Sequence, residues 1–435
     1  MHSSNEIFNS LRDNSFLLEK GFNNPTRRTI ADELGKAGEN YRTKIYSSFS
    51  QKKQNVSKQE LLDFFELTLE YIDQSIAVNK RADNMYHAYN LVGFSEHSLA
   101  VRHLYEMLEG QVAVLSSEKL NASEALELLD ALRCSSLYRT DQNSYILYPN
   151  KKLPLFVDKN NIAPEVVKRV KLLETLVANG DTRIITTDKK GQFHFNAAFN
   201  NAGFLREALN KLKSDSNLNV TDADIVEIEN VYEQIFDHQS FTGRSGTFYK
   251  YEGLGCIYWH MVSKLLLVIG ENIQSATENK VDKTVIDGLE KHYFEVKAGI
   301  GAHKSPAVYG SFPFDPYSHT PTMAGVQQPG MTGQVKEDII SRFFELGMQV
   351  ENGCLKINPV ILNTEEFIQR SGEDPHLSFS YCSVPFVYLQ NGKTGMEVIY
   401  SDGKMEKIEG YMLNPDQSRA VFNRDKNILK IVAYL

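Results

Sequence analysis

The run Asp315-Pro-Tyr-Ser-His-Thr-Pro-Thr-Met-Ala-Gly-Val-Gln-Gln-Pro-Gly-Met-Thr-Gly333 gathers reactive and hydrogen-bonding groups into one turn-rich stretch. It holds a carboxylate (Asp315), an imidazole (His319), the hydroxyls of Tyr317, Ser318, Thr320 and Thr332, and the amides of Gln327 and Gln328. Proline and glycine at this density build loops rather than a core, and loops carry binding groups. A helical pattern starts at Gln334, so Thr332 is placed as its N-cap and Gly333 lets a ligand approach the free backbone N–H groups. That combination of hydroxyl, N–H groups and helix dipole suits an anion. The plainer reading is that Thr332 only caps the helix and that the Pro and Gly residues only shape a surface loop.

Two further stretches carry chemistry-bearing side chains. Phe236-Asp-His-Gln-Ser-Phe-Thr-Gly-Arg-Ser-Gly246 supplies Asp237 and Arg244, and Tyr249-Lys-Tyr-Glu-Gly-Leu-Gly255 supplies Tyr249, Tyr251 and Glu252. A pair of glycines inside a helical pattern costs about 1 kcal/mol each, which points to close packing or a pocket wall. Gly299-Ile-Gly-Ala-His-Lys-Ser-Pro306 adds His303 and Lys304 to the groups able to face an anion, although it lacks the spacing of a nucleotide-binding loop. Arg81, Asp83, His87, Arg139 and Asp141 are either pocket walls or members of a surface ion-pair network. Trp259 and His260 lie in an apolar helical pattern, where core packing is the plainer role.

The elements that must position these groups change character along the chain. Three- and four-residue apolar spacing predicts helices near 5–20, 28–49, 58–79, 94–116, 122–133, 163–179, 200–214, 222–237, 247–274, 282–298 and 333–348. Ser57-Lys-Gln-Glu60 reads as a capping box. Short β excursions are expected near 144–157 and 183–196, the second turning at Asp188-Lys-Lys-Gly191. Beyond about 352 the period becomes two, with turns at Asn391-Gly and Asp402-Gly, as an antiparallel β-sandwich would show. The expected architecture is mainly α: residues 1–350 as a helical toroid, its paired helices ringing a central pocket, and 351–435 as a small sandwich. A plain helical bundle has the same periodicity.

Formal net charge is −8, with basic residues scattered, so no nucleic-acid or membrane-surface partner is indicated. No stretch has the length and apolarity to span a bilayer, and the N-terminal residues lack a leader pattern, so a cytoplasmic location is expected. The cysteines Cys134, Cys256, Cys354 and Cys382 sit among apolar neighbours without paired spacing and are expected to be buried thiols. No metal-ligand spacing is present, and no cofactor is expected.

Asp315-x-Tyr317-Ser318, Pro321, Gly325 and Thr332-Gly333, followed by Arg342-Phe-Phe-Glu-Leu-Gly347 and Gly353-Cys-Leu-Lys-Ile-Asn-Pro359, resemble a segment of the inverting sugar phosphorylases of the cellobiose and chitobiose phosphorylase type. Related (α/α)6-barrel glycoside hydrolases share the architecture. The resemblance covers about 237–360 and implies an (α/α)6-type toroid followed by a β-sandwich. It implies Asp237 as the general acid on the leaving oxygen, with Arg244, His319, Thr332 and Gly333 cradling the phosphate that attacks the opposite face. Tyr249, Tyr251, Tyr317, Gln327, Gln328, His303 and Lys304 would contact sugar. If water were the nucleophile, Glu252 or Asp315 would hold it across a gap of roughly 6.5–9.5 Å from the acid. The partners implied are a small carbohydrate and inorganic phosphate, in a homo-oligomer or a larger assembly. An inverting hydrolase, or a silent carbohydrate-binding subunit, are the alternatives.

Overall fold

The computed structural model describes residues 2–47, 55–149, 155–214, 218–236, 257–300, 319–320, 334–372 and 374–435, with backbone alone for 2–5, 319–320 and 334–335. About half of the chain is helical, and the fold is mainly α. It divides into two compact units, one formed by Met1–Pro149 with Gly255–Leu435 and the other by Asn150–Leu254. The expected boundary at 350 lies inside the first unit.

The first unit opens with α1 (His2–Asp13), α2 (Leu17–Lys20), α3 (Asn24–Ser47) and α4 (Lys58–Ala77). Ser57 caps α4 by the expected box: its hydroxyl accepts from Glu60 N at 3.1 Å while the Glu60 carboxylate accepts from Ser57 N at 3.0 Å. The stretch expected as one helix over 94–116 is instead a hairpin, β1 (Leu91–Phe94) with β2 (Leu99–Arg102), and a short helix α5 (Leu108–Leu115). A Ser95 N–H to Ser98 O bond closes the turn. Leu99, Val101 and Leu104 carry an apolar spacing that strand and helix can share over so few residues. Next come α6 (Ala122–Cys134) and the two-residue pair β3 (Tyr138–Arg139) and β4 (Ser144–Tyr145).

The second unit runs through α7 (Phe156–Lys159), α8 (Pro164–Arg169), α9 (Lys171–Ala178), β5 (Ile185–Thr187), β6 (Phe193–Phe195), α10 (Ala202–Lys213) and α11 (Asp222–Phe236). The β5–β6 hairpin is the one expected at 183–196. The strand expected around 153–157 is replaced, over the described residues, by the single turn α7, whose Lys159 and Asn160 amides bond back to Leu155 O and Phe156 O. Leu173, Leu176, Leu205, Leu209 and Ile228 fill a core of this unit's own. Buried Asn160 completes it by acting as a piece of strand: its side chain bonds Phe195 O at 2.8 Å and accepts from Phe195 N at 2.9 Å. The first and last described helices of the unit meet: Lys159 Nζ donates to Phe236 O at 2.7 Å and the rings of Phe156 and Phe236 stack 5.8 Å apart.

The chain re-enters the first unit at β7 (Ile257–Tyr258) and α12 (Trp259–Glu278), followed by α13 (Lys283–Ala298), β8 (His319–Thr320) and α14 (Gln334–Glu345). Apolar faces of α5, α6, α12 and α13 enclose Leu108, Leu132, Trp259, Leu265, Ile269 and Leu289. Trp259 is a core residue, as its context suggests.

The C-terminal part consists of the hairpin β9 (Met348–Glu351) with β10 (Cys354–Ile357), then β11 (His376–Tyr381), β12 (Val384–Leu389), β13 (Gly395–Tyr400), β14 (Met405–Ile408), α15 (Pro415–Phe422) and β15 (Ile428–Tyr434). One five-stranded sheet in the order β11-β12-β15-β13-β14 is formed. It is not wholly antiparallel as expected: β15 runs parallel to β12. The most apolar strand thereby takes the centre, where both neighbours cover it. Ala420-Val-Phe422, which period two alone presents as a strand, is helical because Asn414 caps α15 in a box with Gln417 and Pro415 occupies the first turn. The turns at Gly392 and Gly403 hold φ of 77° and 87°, as glycine permits. Cys134 is exposed and Cys354 and Cys382 are half-buried, which corrects the expectation of buried thiols for these three, while Cys256 lies outside the described residues. Cys134 ends α6 beside the chain turn at Ser135, away from the helix's apolar face. Among the described residues no helix is long and apolar enough to cross a membrane.

Candidate functional site

Asp237, Arg244, Tyr249, Tyr251, Glu252, His303, Lys304, Asp315, Tyr317, Gln327, Gln328, Thr332 and Gly333 lie outside the described residues. Of the sequence-predicted site only His319 is described, by its backbone, in β8. That strand pairs with β7: Tyr258 stands opposite His319 and Ile257 opposite Thr320. The strand leaving the 237–256 stretch is thus hydrogen-bonded to one inside the 301–333 stretch. Helix α14 starts at Gln334, where the helical pattern begins in the sequence.

Helix α14 is built inside out. Glu337, Ser341 and Glu345 follow one another at four-residue spacing and are each 3% exposed, whereas Ile339 and Ile340 are 50% and 49% exposed. Residues four apart share a helix face, so α14 turns a polar stripe inward, the reverse of an ordinary surface helix. Buried polar groups need partners, and α12 and α13 supply them. At one end His260 Nε2 lies 3.0 Å from Glu337 Oε1, Lys336 Nζ lies 3.6 Å from the same oxygen, and the Tyr258 hydroxyl meets His260 Nδ1 at 3.3 Å. At the other end Glu345 accepts from the Tyr293 hydroxyl at 2.9 Å, from Lys297 Nζ at 2.7 Å and from Arg342 Nη1 at 2.7 Å. Arg342 also grips Glu366 with both terminal nitrogens. Ser263 Oγ on α12 donates to Asp338 Oδ1 at 3.3 Å between the two ends.

Electrostatics follow from these contacts. Burial works against a charge on Glu345, yet the hydrogen bonds from Lys297 and Arg342 outweigh it and hold the carboxyl below the ordinary glutamate range. Burial and the neighbouring Glu345 push the Tyr293 hydroxyl far up. Glu271, on α12, is raised by burial and by Glu118. Two groups of the stripe stay unsatisfied among the described residues: Glu337 Oε2 and Ser341 Oγ, both fully shielded from solvent.

A cleft opens at each end of the stripe. One, of about 410 Å³, lies between α5, α12 and α14 and includes Glu337; the other, of about 680 Å³, includes Lys297, Ser341, Arg342 and Glu345. Sequence reading missed the stripe, because Glu337, Ser341 and Glu345 look like an ordinary solvent-facing row until burial shows that this face of α14 is inward. The other polar residues singled out from sequence form ion pairs with close neighbours: Arg81 with Asp83 at 2.8 Å and Glu106 at 3.5 Å, and Arg139 with Asp141 at 2.7 Å. His87 stacks on His103 with ring centres 4.0 Å apart.

The second unit has the form of an insertion, because it is continuous in sequence and interrupts the first unit, and its first and last described helices touch. Residues 153–239 match the family model described as GH149 phosphorylase insertion domain 2. The match supports a link to the glycoside phosphorylases. It falls inside the compact unit 150–254. It overlaps the segment that carries the sequence resemblance, about 237–360, at residues 237–239 alone, so the link stands without support for the cellobiose or chitobiose type in particular. No curated protein matches the chain.

Proposed function

We propose that this chain is a carbohydrate-active enzyme of the inverting glycoside phosphorylase kind, in which phosphate cleaves a glycosidic bond and leaves a sugar 1-phosphate. The observation that carries this reading is the coincidence of the inserted compact unit with the phosphorylase insertion-domain match. The β7–β8 pairing and the start of α14 directly after Thr332-Gly333 add support.

In this reading Asp237 protonates the leaving oxygen, and Arg244, His319, Thr332 and the Gly333 N–H hold phosphate at the start of α14, where the helix dipole favours an anion. Arg and backbone N–H groups suit phosphate because their geometry matches its oxygens. Tyr249, Tyr251 and Tyr317 offer ring faces to the sugar, and Gln327, Gln328, His303 and Lys304 its hydroxyl and phosphate contacts. A phosphorylase needs one acid and one anion cradle, and Glu252 and Asp315 are then free of the base role that hydrolysis requires. The helices of residues 1–350 outside the inserted unit would belong to the (α/α)6-type toroid, with residues 351–435 as its β-rich companion, in a cytoplasmic enzyme.

Asp237→Asn tests the assignment, since it removes the transferable proton and keeps the shape. Turnover should fall by about 100-fold or more while phosphate binding by calorimetry stays nearly unchanged. Undiminished turnover would remove Asp237 from the acid role.

A further inference from the structure

We propose that the outward face of α4 is the surface through which two copies of this chain pair, their α4 helices side by side and parallel. Helix α4 is apolar on two sides. One side is used within the chain: the Phe64 ring meets Phe8 of α1 edge-on at 6.0 Å, the Tyr71 ring lies 6.0 Å from Phe22 while its hydroxyl donates to Leu11 O at 2.7 Å, and Ile76 packs on the core. The other side is bare. Leu61, Leu62, Phe65, Leu69 and Ile72 are 44, 39, 55, 58 and 48% exposed, and none of the 20 residues of the helix is buried. A helix that is apolar all round belongs inside a larger packing, and a contiguous exposed apolar stripe marks where that packing is completed by a partner.

The spacing says what covers it. Leu62, Phe65, Leu69 and Ile72 follow one another at 3, 4 and 3 residues, the alternation of the a and d positions of a heptad, and such a seam packs knobs-into-holes against a second helix carrying the same seam. Charge sets the direction. Gln59, Glu66 and Asp73 flank the seam on one edge, and Leu61, Thr68 and Ser75 on the other. In an antiparallel pair like edges meet, which sets Glu66 against the acidic edge of the other copy; in a parallel pair the acidic edge meets the Leu61, Thr68 and Ser75 edge, and no like charges face. The acidic rim also excludes an anionic lipid surface as the occupant. Taking roughly 150–200 Å² for a whole apolar side chain, the five bare residues expose on the order of 400 Å². Specific interfaces bury about 800 Å² per partner, of which about 60% is apolar, so the stripe supplies most of the apolar share and its polar edges the rest. Two heptads are too few to hold free helices together, but α4 is already formed within the chain, capped by the Ser57–Glu60 box and braced where Lys119 Nζ meets Asp73 at 2.7 Å.

The test is sedimentation equilibrium of the full chain at micromolar concentration, which should give twice the mass of one chain. Phe65→Glu combined with Leu69→Glu puts charge at the middle of the seam without touching the chain's own core, and should weaken pairing by about 100-fold or more while the circular dichroism stays that of wild type. Cross-linking reads the same contact and serves if the glutamate variant fails to fold. In a Cys134→Ser background, chosen because Cys134 is exposed, Ile72→Cys stands on the seam and meets its own counterpart in a parallel pair, so mild oxidation should join two chains. Asp63→Cys, on the opposite side of α4, should not join them. A single-chain mass in the wild type, a dimer that both glutamates leave intact, or a dimer that links no better through position 72 than through position 63 overturns the proposal.

Discussion

Glu345 shows what a buried carboxylate requires. Three donors converge on it from α13 and from its own helix, and the pair Arg342–Glu366 ties the same cluster to the chain that follows. Replacing Glu345 with Leu would leave Lys297 and Arg342 facing an apolar group, and removing one partner of a buried ion pair costs about 3–5 kcal/mol. Because Lys297 keeps some exposure, the lower end is expected, measured as the shift of the urea midpoint. The pH dependence has a definite sign. Glu345 is held below its ordinary value of 4.5, so its contribution is present above that value and is lost as pH falls through the depressed folded value. Glu345→Gln should therefore flatten the acid limb of the stability profile below about pH 4.5 and leave its slope at neutral pH unchanged. A mutant with the wild-type acid slope would show that other carboxylates govern that limb.

At the level of elements, α14 carries the stripe and Gly347 fixes what comes after it. Gly347 has φ of 74°, and a Cβ there would stand 2.2 Å from Pro359 N, while its carbonyl accepts from Asn358 N at 2.7 Å. Gly347→Ala must strain the backbone and displace Pro359 at once, so a loss of about 3 kcal/mol or more is expected by chemical denaturation. Ile339→Ser, on the outward face of the same helix, should change stability by no more than about 0.5 kcal/mol. These elements also show how far the sequence is legible. The capping box at Ser57, the 183–196 hairpin and the start of α14 were readable because each rests on local chemistry, a side chain or turn acting within a few residues. The β1–β2 hairpin was missed because its apolar spacing also fits a helix, and β15 was not readable as a central parallel strand because register and order depend on contacts distant in sequence. α15 lies inside the region where the period is two, yet Asn414-Pro415 and Gln417 announce its start locally. Of the site, the residue types of the Thr332-Gly333 stretch stand out in sequence, whereas the stripe of Glu337, Ser341 and Glu345 becomes visible only when burial shows which face of α14 is inward.

On the scale of the whole molecule, the inserted unit 150–254 has its own core, and its first and last described helices touch, as a separately stable domain needs. Leu173→Ala, in the middle of that core, should cost about 2–5 kcal/mol within this unit. Proteolysis should then cut inside 150–254 first, and protection of that segment equal to wild type would argue against an independent unit. The central claim concerns the bond broken and the nucleophile that breaks it. The most direct measurement is phosphorus NMR of the full chain incubated with a panel of disaccharides and oligosaccharides of both anomeric linkages, with and without inorganic phosphate. The account predicts a sugar 1-phosphate resonance of inverted anomeric configuration that grows only when phosphate is present. Equal cleavage without phosphate would mean hydrolysis, and no cleavage and no sugar 1-phosphate across the panel would contradict the account.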